Sequence, residues 1–472
     1  MKRTGDEYFD SEEFCELLAN YESTINTGMP VLMDADELAD IADFYQMQGE
    51  LDKAEEAIAL ALSLSPGAIA PITYRIHEAL YNGNTQQAWE WLEQIVEKSE
   101  PDYIYNRAEI LLAEGKVEEA DRYLRDEFRQ VPPEEYQDYV IDVANIYSDY
   151  GYNQKAMEWI VRAHHEDSLD YQELVGRTLF GLGKYKDSEK VFTKLIDKNP
   201  FSKRYWNALA SAQFMGEDYS SAIQSSEYAL AIDPEDAEGL VAKANGLFRL
   251  NNFEQALDYY ERYSQKMPND EYSLLYQGTC LTNLNRTQEA IVRLEKALEI
   301  SGKQSPYYND ILQELAFVYG DDGQTERAIK LLDEVNDNCP PVQIELMKGH
   351  LLLAAGNLAE AEAHFRKAIM VSDDFKDTFL QVIVSLYDNH YLDAAYQLLI
   401  KFFSMAGDDN TNGFAYMALC CYELKRYDDF LHYLKKACEL NPRECRAVLF
   451  QIFPEELEPE KYYDYIKDKM KQ

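Results

Sequence analysis

Small residues and prolines recur every thirty-four residues in the middle of this chain. Three independent sets keep that spacing: Ala222, Ala256 and Ala290; Pro200, Pro234 and Pro268; and Ala210, Ala244 and Gly278. A fixed period of this length is typical of a structure built by stacking one supersecondary unit many times. The period therefore constrains the fold more than any single motif does.

The segment 35–68 shows what one unit contains. A first apolar stripe is followed by Gly49 and then by a second stripe, and Pro66 closes the segment. The first stripe consists of Leu38, Ile41, Ala42 and Tyr45, and the second of Ala54, Ile58 and Ala61. Spacings of three and four residues place each stripe on one face of a helix, and proline cannot continue a helix. Each unit is therefore predicted to be a helical hairpin whose two helices approach closely at the alanines.

This pattern resembles the tetratricopeptide repeat family, whose unit is a helix–turn–helix of 34 residues. The resemblance implies an all-α, right-handed superhelical solenoid of about twelve units with capping helices at both ends. The predicted divisions are an N-terminal capping helix in 1–34, units one to eight in 35–304, units nine to twelve in 305–444, and C-terminal capping helices in 445–472. We expect one continuous array, and a break near residue 305 is the alternative boundary.

The chain is strongly acidic, since 45 basic and 86 acidic side chains give a formal charge of −41. Such a charge repels phosphates and favours a protein or peptide partner with basic patches over nucleic acid or an anionic membrane. The alternative is that the acidic residues only solvate a long helical surface. No secretory signal or apolar stretch long enough to span a membrane is present, so a cytoplasmic location is expected. The seven cysteines include no CxxC pair, which favours reduced thiols over a disulfide framework or a zinc site.

No catalytic motif of useful specificity is found, and we expect a non-enzymatic protein without cofactor or metal. The segment 181–184 has the Gly-Lys pair of a phosphate loop, but Thr178 stands where that motif needs a glycine. Gly183 is better explained as a hairpin turn. The pair His164 and His165 is better explained as a surface helix end than as a metal site, because adjacent helical residues point in different directions.

In the tetratricopeptide family the first helix of each unit lines a concave groove that commonly receives a peptide or a partner helix. Carried over to three adjacent units, this resemblance implies a peptide groove formed by Arg204, Asn207, Phe214, Asn245, Phe248, Arg249, Tyr272 and Asn283. The alternative for Phe214 and Phe248 is that they pack within the array. The basic clamp with which some members bind a chaperone tail is not expected, because Val241 stands where its lysine should precede Asn245.

The sequence therefore predicts an adaptor that binds a peptide or partner protein in its concave groove. Two alternatives remain open at this point. The array could self-associate as a structural or assembly component, or it could act as a regulatory protein that senses a peptide.

Overall fold

The computed structural model describes residues 6–9, 11–27, 31–163, 168–335, 339–407, 410–454 and 456–469. Over these residues the regular secondary structure is α-helical, with two short 3₁₀ helices and no β-strand. The chain divides into two compact units, which we call unit 1 (Met1–Pro234) and unit 2 (Glu235–Gln472). His164 and His165 lie outside the described residues. The predicted division at residue 305 stays a prediction.

Unit 1 contains two N-terminal helices and six helical hairpins. Its helices are α1 (Asp6–Phe9), α2 (Glu12–Thr27), α3 (Ala35–Met47), α4 (Leu51–Leu64), α5 (Ile69–Tyr81), α6 (Thr85–Leu92), α7 (Pro101–Ala113), α8 (Val117–Phe128), α9 (Tyr136–Asp149), α10 (Asn153–Ile160), α11 (Leu169–Gly181), α12 (Tyr185–Lys198), α13 (Lys203–Met215) and α14 (Tyr219–Ile232). The 3₁₀ helix Pro133–Glu135 precedes α9. Phe14 and Tyr21 of α2 are buried against α3, so this helix covers the first hairpin as a cap would.

Unit 2 contains six further hairpins and a C-terminal segment. Its helices are α15 (Ala237–Arg249), α16 (Phe253–Lys266), α17 (Glu271–Asn283), α18 (Thr287–Ile300), α19 (Tyr308–Asp321), α20 (Thr325–Glu334), α21 (Pro341–Ala354), α22 (Leu358–Val371), α23 (Phe375–Asp388), α24 (Leu392–Ala406), α25 (Phe414–Glu423), α26 (Tyr427–Leu440), α27 (Pro442–Leu449) and α28 (Tyr462–Lys469). The 3₁₀ helix Pro459–Lys461 leads into α28. The twelve hairpins of the described residues confirm the predicted all-α repeat fold of about twelve units.

One turn geometry closes all twelve hairpins. The second residue after each first helix has a positive φ, and the next backbone N–H donates to the carbonyl five residues earlier, as Glu50 does to Tyr45 at 2.8 Å. This is the glycine-favouring C-terminal motif of helices. Seven of these turns use glycine, including the Gly183 predicted for this role. The other five use Glu217, Asn251, Asn285, His390 and Lys425, which sequence reading could not recognise as turn residues.

Small residues allow the two helices of a hairpin to pack closely. Ala42, Ala54 and Ala61 are fully buried, as predicted. At Gly278 the approach is closer still, because a methyl group there would lie 2.4 Å from Cγ of Leu294. Ile76 occupies the corresponding position of the second hairpin and is also fully buried, so a larger residue is accepted where the partner helix is shaped for it.

Gly278→Ala is predicted to destabilise the protein, although alanine favours helix formation by about 1 kcal/mol. The overpacking against Leu294 costs about 1–3 kcal/mol, so we expect a lower chemical denaturation midpoint in unit 2. Gly302→Ala is the control, because no atom lies within 4 Å of the methyl group it would add. Equal midpoints for the two variants would contradict the close approach.

Lys425→Gly is predicted to raise the free energy of unfolding by about 0.5–1 kcal/mol. Lys425 holds φ at 58°, and a left-handed backbone costs a non-glycine residue about 1–2 kcal/mol, partly offset by the entropy that glycine loses on folding. The reciprocal variant Gly356→Lys, at φ 78° with open space around its added side chain, should lower stability by a similar amount. Thermal unfolding midpoints measured on both variants test the opposite signs.

Candidate functional site

Three of the predicted groove residues lie on α13 of unit 1, in different environments. Arg204 is exposed and forms an ion pair with Glu173 of α11, a carboxylate that is 7% exposed. Asn207 is only 5% exposed, too little for its side chain to contact a partner. Phe214 is half-buried, with its ring centroid 5.4 Å from that of Tyr219. Of these three, Arg204 and Phe214 present surface to a ligand.

Asn245 and Tyr272 are brought together in unit 2. The Tyr272 hydroxyl donates to Oδ1 of Asn245 at 2.8 Å, and the Tyr260 hydroxyl donates to the same oxygen at 2.6 Å. An amide oxygen has two lone pairs, so this one is already occupied. Asn245 can therefore offer a ligand only its amide N–H groups.

Phe248 and Arg249 of α15 and Asn283 of α17 do not form one cluster. Phe248 is half-buried and packs edge-on against Tyr276, with ring centroids 5.1 Å apart. Arg249 is exposed at the end of α15. Asn283 is exposed at the end of α17 and donates to the Thr279 carbonyl at 2.8 Å. Phe248 therefore packs within the array and still leaves part of its ring accessible.

An open cleft of about 710 Å³ lies along the first helices of four successive hairpins in unit 2. We call it the aromatic cleft. It is lined by Phe248, Leu275, Tyr276, Thr279, Pro306, Asn309, Asp310, Gln313, Glu314, Phe317, Cys339, Pro340, Gln343 and Met347. Helices α15, α17, α19 and α21 supply most of these side chains. Phe248 is the one predicted site residue among them.

The aromatic cleft combines apolar rings with negative charge. Phe317 is 39% exposed at the cleft, opposite the Phe248–Tyr276 pair along the helix stack. Asp310 and Glu314 supply carboxylates, and the side chains that line the cleft in the described structure include no lysine, arginine or histidine. Burial raises the pKa of Glu314, while hydrogen bonds from the hydroxyls of Thr282 and Thr279 lower it. The cleft can thus receive an apolar group and a cation side by side.

The sequence also indicates which residues α19 contributes to this cleft. Gly278 of the eighth hairpin corresponds to Ala316 of the ninth, so the repeat is lengthened here from 34 to 38 residues by the loop 301–307. Adding 38 to Tyr272, Leu275 and Thr279 of α17 gives Asp310, Gln313 and Phe317. The predicted groove ends at Asn283 of α17 and therefore does not include these three residues.

A second group of ionisable residues lies on the first helices of the first three hairpins in unit 1. Nε2 of His77 on α5 is 2.8 Å from Oε2 of Glu109 on α7. Burial raises the pKa of Asp43 on α3 to about 6; His77 opposes this shift and Asp40 adds to it. Burial also raises the pKa of Asp40, which accepts a hydrogen bond from Tyr8. These carboxylates have therefore lost part of their hydration on this helix face.

Nothing in the described part of the chain suggests a metal centre or a membrane span. Within the described residues, no three or more histidine, cysteine or acidic side chains are arranged so that they could bind a metal ion. Over the same residues, every helix is too short or too polar to cross a membrane. The expected absence of an enzymatic activity stays a prediction.

Two family models described as Tetratricopeptide repeat match residues 176–237 and 346–375, within the hairpins described above. These matches, together with the hairpin fold, support a tetratricopeptide repeat protein. A third model, described as Anaphase-promoting complex, cyclosome, subunit 3, matches residues 215–297. Repeats of this family typically form non-catalytic scaffolds, and family and fold together support a protein-interaction scaffold.

Individual similar proteins cover the chain unevenly. Protein FlbA of Caulobacter vibrioides is 30% identical over 129 residues, which is 27% of this chain and 21% of FlbA. A tetratricopeptide repeat protein from Parabacteroides merdae is 17% identical with a TM-score of 0.42, and covers 52% of this chain and 95% of that one. The structure of the APC/C hetero-tetramer Cut9–Hcn1 is 15% identical with a TM-score of 0.42, and covers 96% of this chain and 86% of that one. This chain spans about a fifth of FlbA, and the structural similarities are too low to carry an argument about partners.

Asp43→Asn is predicted to stabilise the tetratricopeptide array at neutral pH. Since the pKa of Asp43 rises from 3.8 to about 6 on folding, the folded state binds a proton more tightly, and stability falls as pH rises through that interval. The side-chain amide that Asp43→Asn introduces is uncharged at every pH, so the variant avoids this loss of folding stability, which is at most about 3 kcal/mol for two pKa units. The gain should be present at about pH 7 and nearly absent at about pH 4, as measured by chemical unfolding of the N-terminal hairpins.

Asp52→Asn is the control, because Asp52 is exposed on α4 of the same first hairpin. Its effect should stay within about 0.5 kcal/mol at both pH values. A pH-independent gain for Asp43→Asn would contradict the assignment of the raised pKa to this residue.

Proposed function

We propose that this tetratricopeptide repeat protein is an adaptor whose aromatic cleft binds a peptide segment of a partner protein. The segment carries a lysine or arginine next to an apolar side chain. The observation that carries the proposal is the pairing of Phe248, Tyr276 and Phe317 with Asp310 and Glu314 in one open cleft.

Aromatic exposure supports the apolar half of the proposed ligand. Phe317 keeps 39% of its surface exposed, and the edge-on contact of Phe248 with Tyr276 leaves part of the phenylalanine uncovered. Aromatic residues on a rigid support are favoured anchors because they bury a large area at little cost in side-chain entropy. Each ring here stands on a helix, so the cleft needs no rearrangement to accept an apolar side chain.

The carboxylates support the basic half of the proposed ligand. A peptide cation near Asp310 and Glu314 would interact favourably with both, and the overall charge of −41 would speed its approach. The partial burial that raises the pKa of Glu314 also weakens screening by salt ions at that position. The two carboxylates therefore favour a basic peptide over an acidic one.

The test begins with panning a phage-displayed library of random short peptides against the full-length protein. We expect enriched peptides to contain lysine or arginine beside an apolar residue. A fluorescent peptide from that set should bind Phe317→Ala and Asp310→Asn at least about tenfold more weakly than wild type, as measured by anisotropy. Binding to wild type should weaken as salt concentration rises.

Matched controls lie outside the cleft. Phe201→Ala removes a phenylalanine that is 81% exposed in unit 1, and Asp393→Asn removes an exposed carboxylate on α24. Both should bind the peptide like wild type. Bound peptide should also slow maleimide labelling of Cys339, which lines the cleft, and leave that of the exposed Cys15 unchanged. Equal loss in the control variants, or enrichment of peptides without a cation, would refute the proposed specificity.

A further inference from the structure

Two cysteines near the C-terminus of unit 2 lie next to each other. Sγ of Cys438, in the last turns of α26, is 3.6 Å from Sγ of Cys445, in the first turn of α27. Both are free thiols, with Cys438 6% exposed and Cys445 fully buried. Cys420 and Cys421, the other buried neighbours in sequence, show no such sulfur contact in the described structure. We call Cys438 and Cys445 the C-terminal dithiol.

The geometry needs only a small movement to join these sulfurs. The two sulfurs of a disulfide are about 2.05 Å apart, so forming the bond requires these sulfurs to move about 1.5 Å closer to each other. The two cysteines flank the short corner between α26 and α27, where Asn441 accepts the Glu444 backbone N–H at 3.1 Å. A corner between two separate helices can absorb such a shift more readily than the interior of one helix.

The last helix, α28, covers the dithiol. Phe453 stacks on Tyr462 with centroids 3.9 Å apart, and Ile466 is also buried in this cluster. The hydrogen bond from the Cys445 thiol lowers the pKa of Cys438; burial opposes this shift, and the backbone of Tyr463 on α28 adds to it. Cys438 is therefore the sulfur favoured as thiolate, the form that reacts with oxidants.

We propose that the C-terminal dithiol is a reversible oxidation site, in which hydrogen peroxide converts Cys438 and Cys445 to a disulfide and loosens the docking of α28. The Cys438 thiolate attacks a peroxide oxygen, the O–O bond breaks, and hydroxide leaves to give a sulfenic acid. The Cys445 sulfur then attacks the Cys438 sulfur, the S–O bond breaks, and water leaves with the thiol proton. Two electrons pass from the sulfurs to one peroxide; the hydroxide takes up the proton that Cys438 lost on ionising, so two water molecules result, and a dithiol reductant reverses the oxidation.

Loosening of α28 follows from the change at Cys438. Cys438 and Cys445 share one buried cluster with Tyr462 and Ile466 of α28. Drawing the two sulfurs together from 3.6 Å shifts side chains in this close-packed cluster and weakens the docking of an eight-residue helix. Oxidation of this site would thus be communicated to the end of the array.

The test treats the full-length Cys15→Ser protein with hydrogen peroxide, since Cys15 is the exposed thiol that would otherwise couple two chains. After quenching, the protein is unfolded and alkylated. We expect two thiols to become unavailable, the intact mass to fall by about 2 Da, and proteolysis to yield one peptide pair linked through Cys438 and Cys445. Dithiothreitol should restore both thiols.

Two further measurements separate this proposal from unspecific oxidation. Cys445→Ser should abolish the mass loss, and Ile466→Ala, which weakens α28 packing, should accelerate it at least severalfold. Amide exchange at Tyr463 should rise in the oxidised protein. Retention of all thiols under doses that oxidise Cys15 in the wild type, or a linkage through Cys420 or Cys421, would overturn the assignment. Unchanged exchange at Tyr463 would overturn the loosening of α28.

Discussion

The close approach of the two helices in each hairpin is the constraint on which this structure depends. A hairpin of two helices of thirteen or fourteen residues, such as α15 with α16, is too short to be stable alone and must bury a continuous apolar face. The approach requires small residues such as Ala244 and Gly278, and it requires a turn that reverses the chain within three residues. The left-handed turn residue and its hydrogen bond to the carbonyl five residues back meet the second requirement in every hairpin.

The same constraint explains why the fold could be predicted from the sequence. Alanine, glycine and proline have few alternative roles at a fixed period, so positions such as Ala42 and Ala54 identify both helices and their contact. The non-glycine turns were not predicted. The surrounding hairpin offsets the cost of the left-handed backbone at Glu217 and Lys425, and a lysine in the sequence does not indicate a positive φ. Ile383 in the eleventh hairpin, like Ile76 in the second, is fully buried at the position where the other repeats have alanine or glycine, and shows the same compensation by neighbouring side chains.

The candidate site was much less accessible to sequence reasoning. The period predicts which residues share the face of the first helices, and Phe248, one of them, lines the aromatic cleft. It cannot say that Asn207 is buried, or that the Asn245 oxygen is taken by two tyrosine hydroxyls, because both depend on the size of side chains from neighbouring helices. The predicted groove also ended at α17, so it did not include Asp310 and Phe317, which the next hairpin supplies to the cleft.

Acidic composition acquires a more specific meaning once burial is known. An exposed carboxylate in water costs the fold little, and most of the 86 acidic side chains need no further explanation. Asp43 and Glu314 differ, because burial raises the pKa of each and both lie on first helices, where side chains could instead have turned to solvent. A partially dehydrated carboxylate is destabilising in the isolated protein and becomes favourable when a cation replaces the lost water. Under the proposed function, a ligand cation beside Glu314 would recover part of this cost, a gain that a fully exposed carboxylate would not provide.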